Sequence, residues 1–256
     1  MQAIILDTMP FDDAMQLSGR LGADTDSVHL WSVSLISGGP GLAQARALLS
    51  PQELERATRF HRNMDRDRHT LAHGVLRRLL GLYCDTDAGD LAFATAADGK
   101  PRLQSTPGES LTFNISHSSD RLLVGVTAGR QIGVDIEAMD RRTDSVRLAN
   151  RYFFDAEALD IAAATGLERQ DRFFQYWVAK EAALKAAGAG LGYPLDALQV
   201  RFSADRTRAD VISMQPQRLP PDLTVQMMDC GPGWHAAAAS RGHAWRCRPM
   251  PDPMHP

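Results

Sequence analysis

The 256-residue sequence has no run of 18 apolar residues, and its first residues show no basic stretch leading into an apolar segment. Membrane spanning and secretion are therefore not expected, and the expected location is the cytoplasm. Cysteine is scarce: Cys84, Cys230 and Cys247 are the only three, and no C-x-x-C pair occurs. An odd, scattered set fits reduced thiols better than a disulfide framework or a zinc site. Neither sign of charge dominates, since 28 Lys and Arg against 31 Asp and Glu leave a formal net charge of −3. Nothing in that balance attracts nucleic acid or an anionic membrane in bulk. Familiar site motifs are also missing. There is no G-x-S-x-G elbow of a serine hydrolase. Asp85-Thr86-Asp87-Ala88-Gly89-Asp90 resembles a calcium loop, but its glycine comes one place early and position twelve is Ala96, where a bidentate Glu is needed. Gly188-Ala189-Gly190-Leu191-Gly192 follows a helix, whereas dinucleotide loops follow a strand.

What remains is an ordinary globular composition, 44% hydrophobic and 23% charged, long enough for one large domain or two small ones. Residues 1–27 carry little periodic signal, and the proline-rich 249–256 is expected to lack regular structure. Val28–Leu35 alternates like a strand. Ser50-Pro51-Gln52-Glu53 is a capping box with proline at the first helical position, which predicts a short helix to about Arg59. Leu71, Val75, Leu79 and Leu82 give Asp65–Tyr83 a helical period. Leu111–Ile115, Leu122–Thr127 and Gln131–Glu137 read as strands, with turns at Ser118–Asp120 and Gly129-Arg130. Asp155 is the expected N-cap of a helix to Thr165, and a second helix spans Asp171–Ala187, stopped by Gly188. Gln199 to Arg248 reads as three strands. Strands and helices recur in similar order, which predicts an α+β fold of two related halves, residues 1–128 and 129–256.

Ile132-Gly133-Val134-Asp135-Ile136-Glu137 places two carboxylates on one strand face, because side chains alternate with a period of two. At about 3.3 Å of rise per residue, Asp135 and Glu137 lie about 6–7 Å apart along the strand. Like charges that close repel unless a cation or several donors intervene. Mg²⁺, held by one or two carboxylates and substrate phosphates, would relieve the repulsion. Asp-x-Glu is common, and two solvated acids on a half-exposed strand satisfy the same pattern. The helix Asp171–Ala187 adds weight. Phe173, Phe174, Trp177, Val178 and Leu184 share one apolar arc, and Glu181 and Lys185 fall inside it, with Lys180 at its edge. An i, i+4 salt bridge accounts for the spacing of Glu181 and Lys185 but not for charges among aromatics. A third carboxylate facing Asp135 and Glu137 would complete an oxygen site. In Asn114-Ile115-Ser116-His117-Ser118, adjacent residues of a strand point apart, so Ser116 and His117 are poorly placed as nucleophile and base. They suit phosphate hydrogen bonding, or else a turn. Asp98-Gly99-Lys100-Pro101 is a turn that presents Lys100 to solvent or to an anion.

The stretches Asn114–Ser118, Gly133–Glu137 and Trp177-Val178-Ala179-Lys180-Glu181-Ala182-Ala183-Leu184-Lys185, in that order, resemble the three signature motifs of the 4′-phosphopantetheinyl transferase family: N-x-S-H-S, G-[VI]-D-[IV]-E and W-x-x-K-E-A-x-x-K. Gly99-Lys100-Pro101 and Arg68 match as well. The length is that of the two-halved, Sfp-like subgroup, which implies a monomeric pseudo-dimer with the active site in the cleft between two similar α/β halves. The resemblance implies a Mg²⁺-dependent transfer of 4′-phosphopantetheine from coenzyme A to a serine of an apo acyl or peptidyl carrier protein, releasing 3′,5′-ADP. Asp135, Glu137 and Glu181 would hold Mg²⁺. Lys185 would contact the phosphates and the leaving group. Arg68 and His117 would bind the 3′-phosphate, with Lys100, Pro101 and Ser116 lining the nucleotide. Glu157, at a loose spacing after Phe153-Phe154, would be the acidic residue serving as base; Glu181 or a metal-bound water are alternatives. Trp177 would pack the helix on the sheet. A non-catalytic coenzyme A or carrier-binding module and a Ser/His hydrolase are the competing readings.

Overall fold

The computed structural model describes residues 3–95, 101–104, 111–140, 142–190 and 192–251. Lys100 and the turn before it lie outside them. The first half contributes β1 (Ile4–Ile5), β2 (Thr8–Met9), α1 (Phe11–Gln16), β3 (Ser27–Ser34), α2 (Gly41–Leu48), α3 (Pro51–Thr58), α4 (Asn63–Cys84), β4 (Phe93–Thr95), β5 (Pro101–Leu103), β6 (Leu111–Ser118) and β7 (Arg121–Ala128). The second contributes β8 (Ile132–Ala138), α5 (Ser145–Tyr152), α6 (Asp155–Ala163), α7 (Gly166–Ala187), β9 (Leu198–Phe202), β10 (Arg208–Ser213), β11 (Leu223–Asp229), β12 (Trp234–Arg241) and β13 (Arg246–Met250).

Alternation of side chains builds the layers. In β3, Trp31 and Val33 pack with α4 residues such as Leu76 and Leu79, while Val28 and Leu30 face the opposite sheet. In β12, Ala237 and Ala239 join Phe173 and Val178 of α7, while Ala236 and Ala238 meet Leu30, Leu123 and Val134 between the sheets. Strands buried on both faces read as continuous apolar runs for this reason. The result is helices, sheet, sheet, helices. One sheet runs β13-β3-β7-β6, the other β8-β12-β11-β10-β9. The two halves repeat one topology: the first strand (β3 or β8) pairs antiparallel with the last (β7 or β12), which pairs with the one before it (β6 or β11).

A buried ion pair recurs in each half. Arg77 is the fifteenth of the 22 residues of α4, and Lys180 is the fifteenth of the 22 residues of α7. Arg77 pairs at 2.8 Å with Glu53, the third residue of α3, and donates to the carbonyls of Ala88 and Leu91. Lys180 pairs at 2.7 Å with Glu157, the third residue of α6, and donates to the carbonyls of Leu195 and Leu198. Each glutamate also accepts the backbone N–H three residues before it, capping its own helix. The cations thereby tie down the loop after each long helix.

Several expectations need correction. Residues 1–27 hold β1, β2 and α1, elements too short to leave a period in the sequence. The region expected to carry three strands carries five. Asp155 is the first helical residue of α6, after the N-cap Phe154, and α7 begins at Gly166 rather than Asp171. Pro249 and Met250, expected to be irregular, end β13, where a proline is tolerated because β13 forms the sheet edge. The halves also exchange their ends. β1 pairs with β11 in the second half's sheet, and β13 pairs with β3 in the first half's sheet, so a cut at residue 128 does not separate two closed units.

Candidate active site

The edge strands β6 and β8 meet where the two sheets adjoin, and alternate residues of β6 stitch them together. Asn114 Oδ1 accepts the Val134 N–H at 2.8 Å, and Ser118 Oγ accepts the Ala138 N–H at 3.2 Å. Ser116 Oγ donates to Asp135 Oδ1 at 2.7 Å, and Ser118 Oγ donates to Glu137 Oε2 at 2.6 Å. Residues i, i+2 and i+4 of one strand face thus serve a single seam. The sequence alone gave Asn114 and Ser118 no task, because these partners belong to a strand outside the β6 ladder.

On the far side of β8, α7 crosses in direct contact. A Cβ on Gly133 would run into the Ala182 carbonyl and the Ala186 nitrogen, so only glycine lets the helix come this close. The approach brings Lys185 Nζ to 2.7 Å from Asp135 Oδ1, 3.0 Å from Ser116 Oγ and 3.1 Å from the Val134 carbonyl. Ile132, Val134 and Ile136 occupy the core between the sheets, as their alternation with Asp135 and Glu137 implies. Asp135 is not solvated: it is 3% exposed.

Burial pushes the Asp135 carboxyl up, against the pull of Lys185 and Ser116. Burial also raises Glu137, which Ser118 and Lys185 oppose and the charges of Asp135 and Glu181 reinforce. Glu181 is raised by burial and by Asp135, with Lys185 opposing. Three acids and one lysine therefore share a partly desolvated pocket whose carboxylates repel one another. Asp135 Oδ2 is buried there with no hydrogen-bond partner among the described residues. Such an orphaned carboxylate oxygen fits a hard cation as its missing partner. Among the described residues, no three His, Cys, Asp or Glu side chains have converged into a ligating group. Nearby, His117 is exposed. Partial desolvation lowers its pKa, as do His73, Lys185 and Arg68, against Asp65.

Comparison with known proteins agrees with this geometry. Residues 39–129 match the family model described as "4′-phosphopantetheinyl transferase, N-terminal", and residues 131–239 match that of the 4′-phosphopantetheinyl transferase superfamily. The 4′-phosphopantetheinyl transferase HetI of Nostoc sp. is 39% identical over 168 residues, covering 65% of this chain and 71% of HetI. The chain belongs to the 4′-phosphopantetheinyl transferase superfamily. Sfp of Bacillus subtilis, also named a 4′-phosphopantetheinyl transferase, is 33% identical over 159 residues, covering 62% of this chain and 69% of Sfp.

Not every residue expected in the transferase site lies there. Asp135, Glu137, Glu181, Lys185 and Ser116 form one interacting cluster, with His117 and Arg68 within electrostatic reach. Pro101 opens β5, which runs beside β6. Glu157 is the exception. It is 2% exposed, on the face of α7 that carries Lys180, and its oxygens already receive Lys180, the Val200 N–H at 2.6 Å and the Phe154 N–H at 3.1 Å. A carboxylate sealed and saturated in this way cannot take a proton from a substrate, so its expected role as base is corrected to a structural one. Trp177 packs on the apolar core of α7, as expected.

Proposed function

We propose that this member of the superfamily transfers 4′-phosphopantetheine from coenzyme A to a serine of an apo acyl or peptidyl carrier protein, with Mg²⁺ held by Asp135, Glu137 and Glu181. The carrier serine oxygen bonds to the β-phosphorus, the pyrophosphate bond breaks, and 3′,5′-ADP leaves with the electron pair. The observation that carries the reading is the orphaned Asp135 Oδ2 beside two further acids and Lys185, at the seam of the two halves. Bound Mg²⁺ would supply charge neutralisation at the phosphate oxygens. Lys185 Nζ, fixed by Ser116 and the Val134 carbonyl, stabilises negative charge on the leaving group. Glu181, less buried than Asp135, has its carboxyl raised by burial and by the Asp135 charge, which suits it to receive the serine proton. His117 and Arg68 supply donors for the 3′-phosphate. The nucleophile comes from the partner, in keeping with Ser116 being committed to Asp135.

The test incubates the purified chain with apo carrier proteins, coenzyme A and Mg²⁺, then weighs the carriers. A gain of one phosphopantetheine is expected; no gain with any of several acyl and peptidyl carriers overturns the proposal.

A further inference from the structure

Three histidines gather where α4 meets β6, and the motifs account for only one of them. His69 and His73 stand one turn apart on α4 with ring centroids 4.1 Å apart, and Phe60 lies 5.1 Å from His69. His117 arrives from β6, close enough that its charge is felt at His69 and that of His73 is felt at His117. The surrounding charges are Glu53 and Arg56 from α3, Asp65 and Arg68 from α4, and Lys185 from α7.

Glu53 orients the cluster. Its Oε1 lies 3.3 Å from His73 Nδ1, while Oε2 receives the Arg77 Nε–H at 2.8 Å. Arg77 is 1% exposed and tied to the Ala88 and Leu91 carbonyls, so Glu53 is held in place. Burial alone would raise the Glu53 carboxyl, but hydrogen bonds from His73, Arg77 and Ser50 bring it down to about 2. With the Nδ1–H given to this carboxylate, Nε2 of His73 is the nitrogen left for a ligand, and it donates to an anion from the imidazolium form, which carries a proton on each nitrogen. His69, 7% exposed, keeps its Nε2 buried with no hydrogen-bond partner among the described residues. Glu53 is shared with Arg77, so the three imidazoles beside Arg56 and Arg68 form a site able to accept a further anion.

We propose that His73, held by Glu53, is a further specificity-determining contact for the 3′-phosphomonoester of coenzyme A, beside His117 and Arg68. The proposal rests on the function argued above and adds to it the residue that separates coenzyme A from 3′-dephospho-coenzyme A. A phosphomonoester dianion gains a second imidazole donor here, whereas the bare 3′-hydroxyl does not. The dianion takes its donors from protonated imidazoles, so binding it takes up protons that binding of the 3′-hydroxyl form does not.

Isothermal titration of the full chain with coenzyme A and with 3′-dephospho-coenzyme A, in two buffers of different ionisation enthalpy, tests this. Wild type is expected to prefer coenzyme A and to take up a proton only with it. His73→Gln should lower that preference about tenfold, the worth of one hydrogen bond to a charged group, and His73→Arg should restore it. An unchanged preference in His73→Gln overturns the proposal. Should the glutamine variant fail to melt cooperatively, His73→Arg decides: a wild-type preference supports the contact, and loss of preference overturns it. Wild type that binds neither nucleotide counts against the transferase reading itself. Wild type that binds both equally counts against this proposal alone.

Discussion

Glu181 shows how a single side chain carries both a function and its cost. Its carboxyl is raised by burial and by Asp135, so the folded chain holds that proton more tightly than the unfolded chain. The stabilising contribution of the protonated form is present at low pH and is lost as pH rises through the raised value; at neutral pH the ionised group is a liability. Glu181→Gln should therefore abolish transfer while raising the metal-free melting temperature by about 2–4 °C, roughly 1 kcal/mol for a chain of this size. Scanning calorimetry with and without Mg²⁺ checks it, since added Mg²⁺ should stabilise wild type and not the variant; a lowered melting temperature would contradict the mutual repulsion of the three acids. Asn114→Ala makes a different prediction. It strands the Val134 N–H at the seam and should cost about 1–3 kcal/mol in urea unfolding. Glu181 and Lys185 were legible in the sequence because a charge on an apolar helix arc announces a partner, and Asp135 because strand alternation sets it beside Glu137. Glu157 was misjudged because linear spacing cannot say which face of α7 an acid from another helix will meet.

At the scale of elements, the capping boxes are the parts read most directly. Ser50 and Glu53 cap α3 as their spacing implies, yet the sequence gives no hint that the same glutamate also neutralises Arg77 twenty-four residues on. Removing that charge leaves a guanidinium 2% exposed without its counter-ion, so Glu53→Gln should destabilise by about 3–5 kcal/mol. Chemical denaturation followed by circular dichroism measures it; a loss under 1 kcal/mol would mean the pair adds nothing. Two lowered groups each cost stability in acid, in separate pH windows. His69 is lowered to about 4 by burial and by His73 and His117, so stability falls as pH drops from about 6.5 to 4 and the unfolded state alone binds the proton. Glu53, lowered to about 2, adds a second loss between about 4.5 and 2. His69→Leu should remove the first loss and keep the second in a pH series of melting temperatures.

For the whole molecule, two related halves were legible from the recurrence of strands and helices, because each half repeats one hydrophobic order. The exchange of ends was not, since β1 is two residues long and the partners of β1 and β13 each lie over 200 residues away. Residues 1–128 and 129–256 expressed separately should therefore aggregate, each with an open strand edge, and should assemble into one active species when co-expressed. Size-exclusion chromatography and the carrier mass assay read the outcome; a monomeric, cooperatively melting fragment would show that the straps are dispensable. The strap at β13 has a temporal side as well. Strand β3 leaves the ribosome more than 200 residues ahead of its partner at residues 246–250. The first half keeps one flank of β3 uncovered until that partner has been made, and the interval is when its open edge is most exposed to mispairing.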